Sequence, residues 1–387
     1  MRGSARAWAL AALLPIAMGG CAAPGDYIDK WFGSGPVVKP AGLIAFKPTA
    51  TAKILWQGSA GAGEKYVFTP AIDAGAVYVA GAAGQIARFD AGSGKLLARI
   101  DSKSRLSGGV GSDGRLILVG TPKGEVLAFD QNGKPLWKSQ LASEVLSAPQ
   151  TEQDIVVVRS GDGRIYGLDA ASGNRKWVYQ RTLPALTVRT HVGVVLYRGA
   201  VFAGFPGGRL VALALNNGNV GWEATVALPK GATELERVAD ISSLPVTDGS
   251  QGCAVAYQGR VACVDLLKGT PNWARDISSV SGMAIDGRNV YVSDDKSAVV
   301  AFEKDTGASQ WKQDKLFGRN ISGPVVAGKY VAVGDFQGYV HFLSRDDGSF
   351  AARMATDGSA IIAQPLALNE GILVQTRNGG VFAIGIQ

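Results

Sequence analysis

A fifteen-residue pattern recurs eight times along this chain, and its spacing restricts the available folds more than any other feature. Its fullest form is GRIYGLDAASGNRKW, residues 163–177: an alternating strand, an Asp, a Ser-Gly turn and a terminal Trp. Copies start at Gly84, Gly124, Gly163, Gly208, Gly259, Ser297, Gly338 and Gly379, with steps of 40, 39, 45, 51, 38, 41 and 41 residues. Six positions on stand Asp90, Asp130, Asp169, Ala214, Asp265, Glu303, Ser344 and Gly385. A turn glycine follows in seven copies, from Gly94 to Gly348, and Trp137, Trp177, Trp222, Trp273 and Trp311 close five of them. Ala98 and Ala352 take the Trp position in two others, and the eighth copy reaches Gln387 before that position.

Each start follows an alternating apolar run such as AVYVAG, RLILVG or KYVAVG, and short links such as SGDGR and TRNGG join the two. Alternation of this kind predicts half-buried strands, and the Gly, Asn and Asp-rich links predict tight hairpins. A shorter strand with Pro at its entry, as in SLPVTDG and SGPVVAGK, precedes each run, where a missing ladder N–H matters least. With the Trp-bearing strand the count is four per repeat. Four antiparallel strands at this period predict a propeller blade. No segment of helical period separates the strands, which argues against parallel βαβ folds, and a β-solenoid has a much shorter period. An orphan strand, KILWQG with Trp56, precedes the first copy and supplies the Trp that the eighth lacks. The expected fold is therefore all-β, an eight-bladed propeller over residues 50–387 whose ring is closed by the N-terminal strand, removing two sheet edges.

The Asp–turn–Trp element reads as a structural rivet. Trp buries a large apolar area and needs a partner for its indole N–H, which suits the seam between blades. Asp and Ser-Gly suit the turn, where a short acceptor takes backbone N–H groups and Gly adopts positive φ. The alternative is a direct ligand role for these positions. A chain that is 47% hydrophobic and 18% charged suits one large β core, and 52 glycines suit dozens of tight turns.

The first twenty residues carry Arg2 and Arg6, an apolar run from Ala7 to Met18, and small residues before Cys21. They read as a secretory signal, too short in its apolar run to span a membrane. Cys21 after MGG fits a lipidation site, with Met18 in place of the usual Leu, and Ala22 in place of Asp directs such a protein to the outer membrane. Residues 21–49, rich in Pro and Gly and without the repeat, read as a lipidated tether. Cys253 and Cys263 flank the hairpin CAVAYQGRVAC; an oxidising compartment permits a disulfide between them, and two buried thiols are the alternative. The formal charge of +7 falls to +5 without the two signal arginines, is scattered, and has no basic run with aromatic residues. Nucleic-acid binding is not expected.

Chemistry is sparse. Only His191 and His341 exist, and neither sits beside an evident nucleophile. His341, in the strand GYVHFLS, reads as packed or at the rim, and His191 as surface. GSAGAGEK, residues 58–65, is a poor phosphate loop, because Glu64 separates Gly from Lys and Tyr66 replaces Ser or Thr. No catalytic, metal-binding or cofactor-binding residues are assigned.

The two longest steps locate insertions at YQRTLPALTVRTHVGV and LPKGATELERVADISSLPV. Loops on a propeller rim are where function concentrates. The repeat LDAASGNRKW resembles the tryptophan-docking repeat of the quinoprotein dehydrogenase propellers, a scaffold signature shared with non-enzymes. The stretches LPALTVR and TELERVADISSLPV, with the Cys, tether and eight repeats, resemble the BamB family, the lipoprotein components of the outer-membrane β-barrel assembly machine.

That second resemblance implies a non-enzymatic adaptor, anchored at the periplasmic face of the outer membrane of a Gram-negative bacterium. It would bind the POTRA domains of BamA within the assembly complex and aid folding and insertion of β-barrel proteins. The family's first binding element maps onto Leu186, Val188 and Arg189, and its second onto Asp240 and Ser242, where Ser242 lacks the second carboxylate. Glu234 and Arg237 match the flanking pattern. An Arg among aliphatic residues on an exposed loop is a plausible hot spot; an internal salt bridge from Arg189 to Asp240, pinning two loops, is the alternative. Unfolded barrel precursors are a further implied partner, through strand edges or the concave surface. The alternative function is a periplasmic quinoprotein-like dehydrogenase or ligand-binding propeller.

Overall fold

Each alternating run folds as a strand, and the strands assort into eight four-stranded antiparallel sheets arranged in a ring. The computed structural model describes residues 39–188 and 191–387; the leader, Cys21, most of the tether, Arg189 and Thr190 lie outside the described residues. Blades 1 to 7 span residues 71–101, 108–140, 150–179, 195–225, 246–276, 282–313 and 325–355. Blade 8 combines Leu366–Leu368, Gly371–Gln375 and Gly380–Ile386 with the N-terminal strand Ala52–Ser59. That strand runs antiparallel to the last one, from Ala52 opposite Ile386 to Ser59 opposite Gly380, so the ring closes as the orphan strand predicts.

The first strands of successive blades touch one another around the axis, and the fourth strands lie outermost. Second strands such as Ala76–Ala80, Leu116–Gly120 and Ile155–Arg159 are buried along their whole length, because a neighbouring blade covers each face of the sheet. Outer strands keep alternation: in Arg175–Tyr179 Trp177 is the buried residue. Apolar burial between neighbouring blades, at roughly 25 cal/mol per Å², supplies the main driving force for closing the ring.

The Trp residues rivet these seams. Each indole N–H donates to a turn carbonyl of the next blade: Trp56 to Ala91 at 2.9 Å, Trp137 to Ala170 at 2.8 Å, Trp177 to Leu215 at 2.8 Å, Trp222 to Leu266 at 3.0 Å, Trp273 to Lys304 at 2.7 Å and Trp311 to Arg345 at 2.9 Å. The ring lies over the turn glycine, where the chain has positive φ; a Cβ on Gly218 would stand 2.6 Å from Trp177 Cε3. The Asp of the motif shapes the same turn, as Asp169 accepts from the Ser172 amide and hydroxyl. Where blade 1 lacks Trp, Ile100 fills the seam against Gly133. Blade 7 has Ala352 because its neighbour has no turn there to dock on: the third and fourth strands of blade 8 come from opposite ends of the repeat array. Ala50, Ala52 and Ile386 pack in that space instead.

Residues 41–51 lie along blades 6 and 7. The Ala41 amide donates to Phe317 O, Arg319 Nη1 to Ala41 O and Arg353 Nη1 to Ile44 O. Phe46 stacks on Phe350 with Arg353 over its ring. Behind these two guanidiniums, Asp335 is fully buried with His341.

Candidate functional site

Every link between blades runs from an outer strand to the next inner strand at the same end of the ring, so both insertions emerge on one face. They occupy residues 180–194, entering blade 4, and 226–245, entering blade 5.

Asp240 ties them together. Its Oδ2 accepts the Val188 amide at 2.7 Å and its Oδ1 the Gly207 amide at 3.1 Å, while its own carbonyl accepts from Tyr257 N at 2.8 Å. One residue thereby joins the first insertion, the blade 4 hairpin and the blade 5 hairpin. Asp240 is only 2% exposed, so it reaches a partner through the loop it holds rather than by direct contact. Ser242 is buried too and lines the axial cavity at the centre of the ring. Leu186 is 40% exposed and Val188 is half-buried in the same loop. The second insertion is built by a reciprocal turn: the Glu236 carboxylate accepts from the Ala232 and Thr233 amides, and Thr233 Oγ1 accepts from the Glu236 amide. Those backbone bonds hold the Glu236 pKa below its ordinary value. The turn projects Leu235, 70% exposed, and Leu228, 60% exposed, while Glu234 pairs with Arg237 across the surface at 3.6 Å.

Beneath the face lies a group that the sequence reading passed over. Arg159 is buried, donates from Nη1 to Gly204 O at 2.7 Å, and stacks on Phe205 at 4.9 Å. Arg181 covers the same ring at 5.1 Å and pairs with Glu223. Burial lowers the Arg159 pKa to about 10, and the nearby Asp240 charge opposes that shift. Arg159 stays cationic at neutral pH, and Asp240 serves as its counter-charge as well as the loop clasp. The signal was present in the repeat: Arg159 stands four residues before its repeat start, where the other seven copies have Ala80, Gly120, Gly204, Val255, Ser293, Gly334 and Gln375.

Cys253 and Cys263 stand directly opposite in the blade 5 register and are joined as a disulfide. Among the described residues no group of three or more His, Cys, Asp or Glu side chains converges as a metal site requires.

Fold and site define a tryptophan-docked eight-bladed propeller whose elaborated feature is a pair of clasped loops on one face. The family model described as "Outer membrane protein assembly factor BamB" matches residues 82–313. The chain belongs to that family. A relative of that name from Nitrosomonas eutropha is 48% identical over 351 residues, covering 90% of this chain and 86% of its own. One from Bordetella pertussis is 42% identical over 382 residues, covering 98% and 97%. Among solved structures, BamB from Moraxella catarrhalis matches with a TM-score of 0.79 at 27% identity, over 87% of this chain and all of that one. Quinohemoprotein alcohol dehydrogenase from Comamonas testosteroni matches with a TM-score of 0.68 at 12% identity, over 86% of this chain and 76% of that one. That second likeness is one of fold alone. The relatives are named as assembly factors, which sets the chain apart from the enzymes sharing its architecture.

Proposed function

We propose that this protein is a non-enzymatic scaffold of the outer-membrane β-barrel assembly machine. A lipid on Cys21, after removal of residues 1–20, holds it at the periplasmic face of the outer membrane. The face built from residues 180–194 and 226–245 docks the POTRA domains of BamA. Leu186, Val188 and Arg189 make the contact, Asp240 fixes their loop from below, and Ser242 replaces the acidic residue of the family element without a charge of its own. Exposed outer-strand edges offer unfolded barrel precursors a place to pair. The observation that carries this reading is the clasp itself: the two segments that break the repeat are tied by one buried carboxylate into a single surface with Leu186, Leu228 and Leu235 exposed on it. Arg is enriched at interface centres, and exposed apolar residues around such a contact serve to exclude water from it.

A pull-down of residues 22–387, without Cys21, against the POTRA domains of the same organism's BamA tests it. Wild type is retained, whereas Leu186→Ala and Arg189→Ala bind at least about tenfold more weakly with unchanged circular dichroism. Failure of well-folded wild type to bind overturns the partner; full binding by both variants overturns the site.

A further inference from the structure

The outer strands of blades 8, 1 and 2 share a pattern that the other five lack. Directly before Trp56, Ala98 and Trp137 stand the triplets KIL, KLL and KPL, whereas blades 3 to 7 have NRK, NVG, TPN, ASQ and SFA at the same place. The equivalence holds in the structure as well. In each of the three blades the ladder to the neighbouring strand skips one residue, and the skipped residue is Leu55, Leu97 or Leu136. These leucines, with Ile54 and Leu96 beside them, are between 37% and 47% exposed. The seams keep the three strands side by side: Trp56 docks on the turn that leads to Lys95, and Ile100 packs on Gly133, next to Lys134. Three consecutive blades therefore carry one aliphatic belt at one height of the rim.

Lysines border it. Lys53, Lys95 and Lys134 are exposed and make no ion pair among the described residues. The acids nearby are already engaged: Asp90 and Asp130 accept amides of their own turns, Asp101 pairs with Lys103 and Glu125 with Lys138. The belt opens each outer strand, at the end of the ring away from the two insertions. Blades 8 and 1 also lie across the axis from blades 4 and 5, which the insertions enter. Belt and docking face can thus be occupied together.

The composition selects the occupant. Protein interfaces are depleted of Lys and enriched in aromatic residues and Arg. Here Lys alternates with aliphatic residues, and Trp56 and Trp137 are turned into the seams. A bilayer surface meets both halves, because leucines enter its interfacial layer while lysines extend to the phosphates. Repetition of one triplet suits a surface that is itself uniform. The chain also arrives on this side: residues 41–51 lie along blades 6 and 7 and lead into the strand of Lys53.

We propose that Leu55, Leu97 and Leu136 rest on the surface of an anionic phospholipid bilayer, with Lys53, Lys95 and Lys134 on its phosphates. Contact along this belt turns the insertions away from the bilayer. The inference goes beyond the adaptor reading and needs neither a lipid on Cys21 nor BamA.

Co-sedimentation of residues 22–387, without Cys21, with vesicles of equal parts phosphatidylethanolamine and phosphatidylglycerol is the test. Most of the protein is expected to sediment at about 1 mM lipid in low salt. Vesicles of phosphatidylcholine alone, or salt of about 0.5 M, reduce binding at least about tenfold. Lys53→Glu with Lys95→Glu and Lys134→Glu reduces it as far, with circular dichroism unchanged. Lys176→Glu with Lys268→Glu and Lys312→Glu makes the same change of charge elsewhere on the ring and leaves most binding in place. Leu55→Ser with Leu97→Ser and Leu136→Ser weakens binding about tenfold while keeping its salt dependence. No sedimentation of folded wild type with the anionic vesicles overturns the proposal. Equal losses in the two lysine triples also overturn it, since attraction is then a matter of net charge alone. So does a belt triple that loses POTRA binding and keeps vesicle binding, which marks the belt as a protein contact.

Discussion

The Asp240 carboxylate accepts the Val188 amide hydrogen at 2.7 Å across 52 residues of sequence, and with its second oxygen it holds Gly207. Asp240→Ala leaves two amide donors and the Arg159 cation without their acceptor and counter-charge. A buried donor without an acceptor costs about 1–3 kcal/mol, so a loss of roughly 2–4 kcal/mol in urea unfolding is expected. Asp240→Asn, which retains one acceptor oxygen, loses less. Partner binding falls in parallel because the Leu186 loop is no longer pinned. Hydrogen exchange at the Val188 amide separates this role from a direct contact: the variant exchanges faster before any partner is added. Unchanged protection at Val188 would refute the clasp.

The seam rivets predict a sharp contrast between glycines. Gly218 has φ of +72°, and an added Cβ would meet the Trp177 ring at 2.6 Å. Gly218→Ala adds left-handed strain of about 1–2 kcal/mol to overpacking of about 1–3 kcal/mol. Gly287 also sits in a hairpin turn, but a Cβ there meets nothing within 4 Å, so Gly287→Ala is near neutral. Trp177→Ala, which empties the seam and abandons the Leu215 carbonyl, costs about 3–5 kcal/mol. Thermal melting of the three variants checks the order; equal effects of the two glycine changes would rule out docking as the reason for Gly218.

How much of this was legible follows from what each feature depends on. Blade number, strand count and the closing role of Trp56 rest on local alternation and a period, and both are written in the chain. The filler at an irregular seam was not: Ala98 marks the missing Trp, but it is Ile100, two residues on and on the same face, that reaches Gly133. The insertions were visible as long steps, and their residues could be named. Their depth could not, because burial of Asp240 and Ser242 depends on how three distant segments stack. Arg159 was legible in principle, as a cation at a strand position where its counterparts are uncharged, and it takes meaning only beside Phe205 and Asp240.

The cysteine pair gives a chemical prediction. Cys253 and Cys263 are opposed in adjacent strands and bonded, and Cys21 is the third cysteine. Alkylation of the denatured, unreduced chain modifies no residue beyond Cys21, and prior reduction adds two further labels by mass spectrometry. The bond closes a loop with a separation of only ten residues, already joined as a hairpin, so Cys253→Ser with Cys263→Ser costs no more than about 3 kcal/mol. Labelling of all three cysteines before reduction would contradict the pairing.

The buried His341 makes stability depend on pH above the range in which exposed carboxylates titrate. Its Nε2 lies 2.8 Å from Asp335 Oδ2, and Arg353 Nε donates to its Nδ1 at 3.3 Å. A ring that donates to Asp335 and accepts from Arg353 is the neutral tautomer; a second proton at Nδ1 would face the Arg353 N–H. Burial drives the His341 pKa below its ordinary value of 6.5, against the pull of Asp335 and with the help of Arg353 and Arg319. Asp335 itself is held low by His341, by the Tyr339 amide and by Arg319, despite its burial, so it titrates only below the usual carboxylate range. For a base depressed in the folded state, the unfolded chain takes up its proton first as pH falls. The stabilisation is therefore complete above about pH 6.5 and is lost progressively below it, until the folded-state value is passed. His191 is exposed, as the sequence predicts, and carries no comparable share of this loss. Urea unfolding from pH 7.5 to 5 should show falling stability in wild type and a distinctly shallower fall in His341→Gln, with His191→Gln changing the slope little. Because Arg319 and Arg353 also hold the carbonyls of Ala41 and Ile44, protease cleavage near residue 40 should rise over the same pH range in wild type. A flat wild-type profile between pH 7.5 and 5 would mean that His341 is not held neutral and buried in the native state.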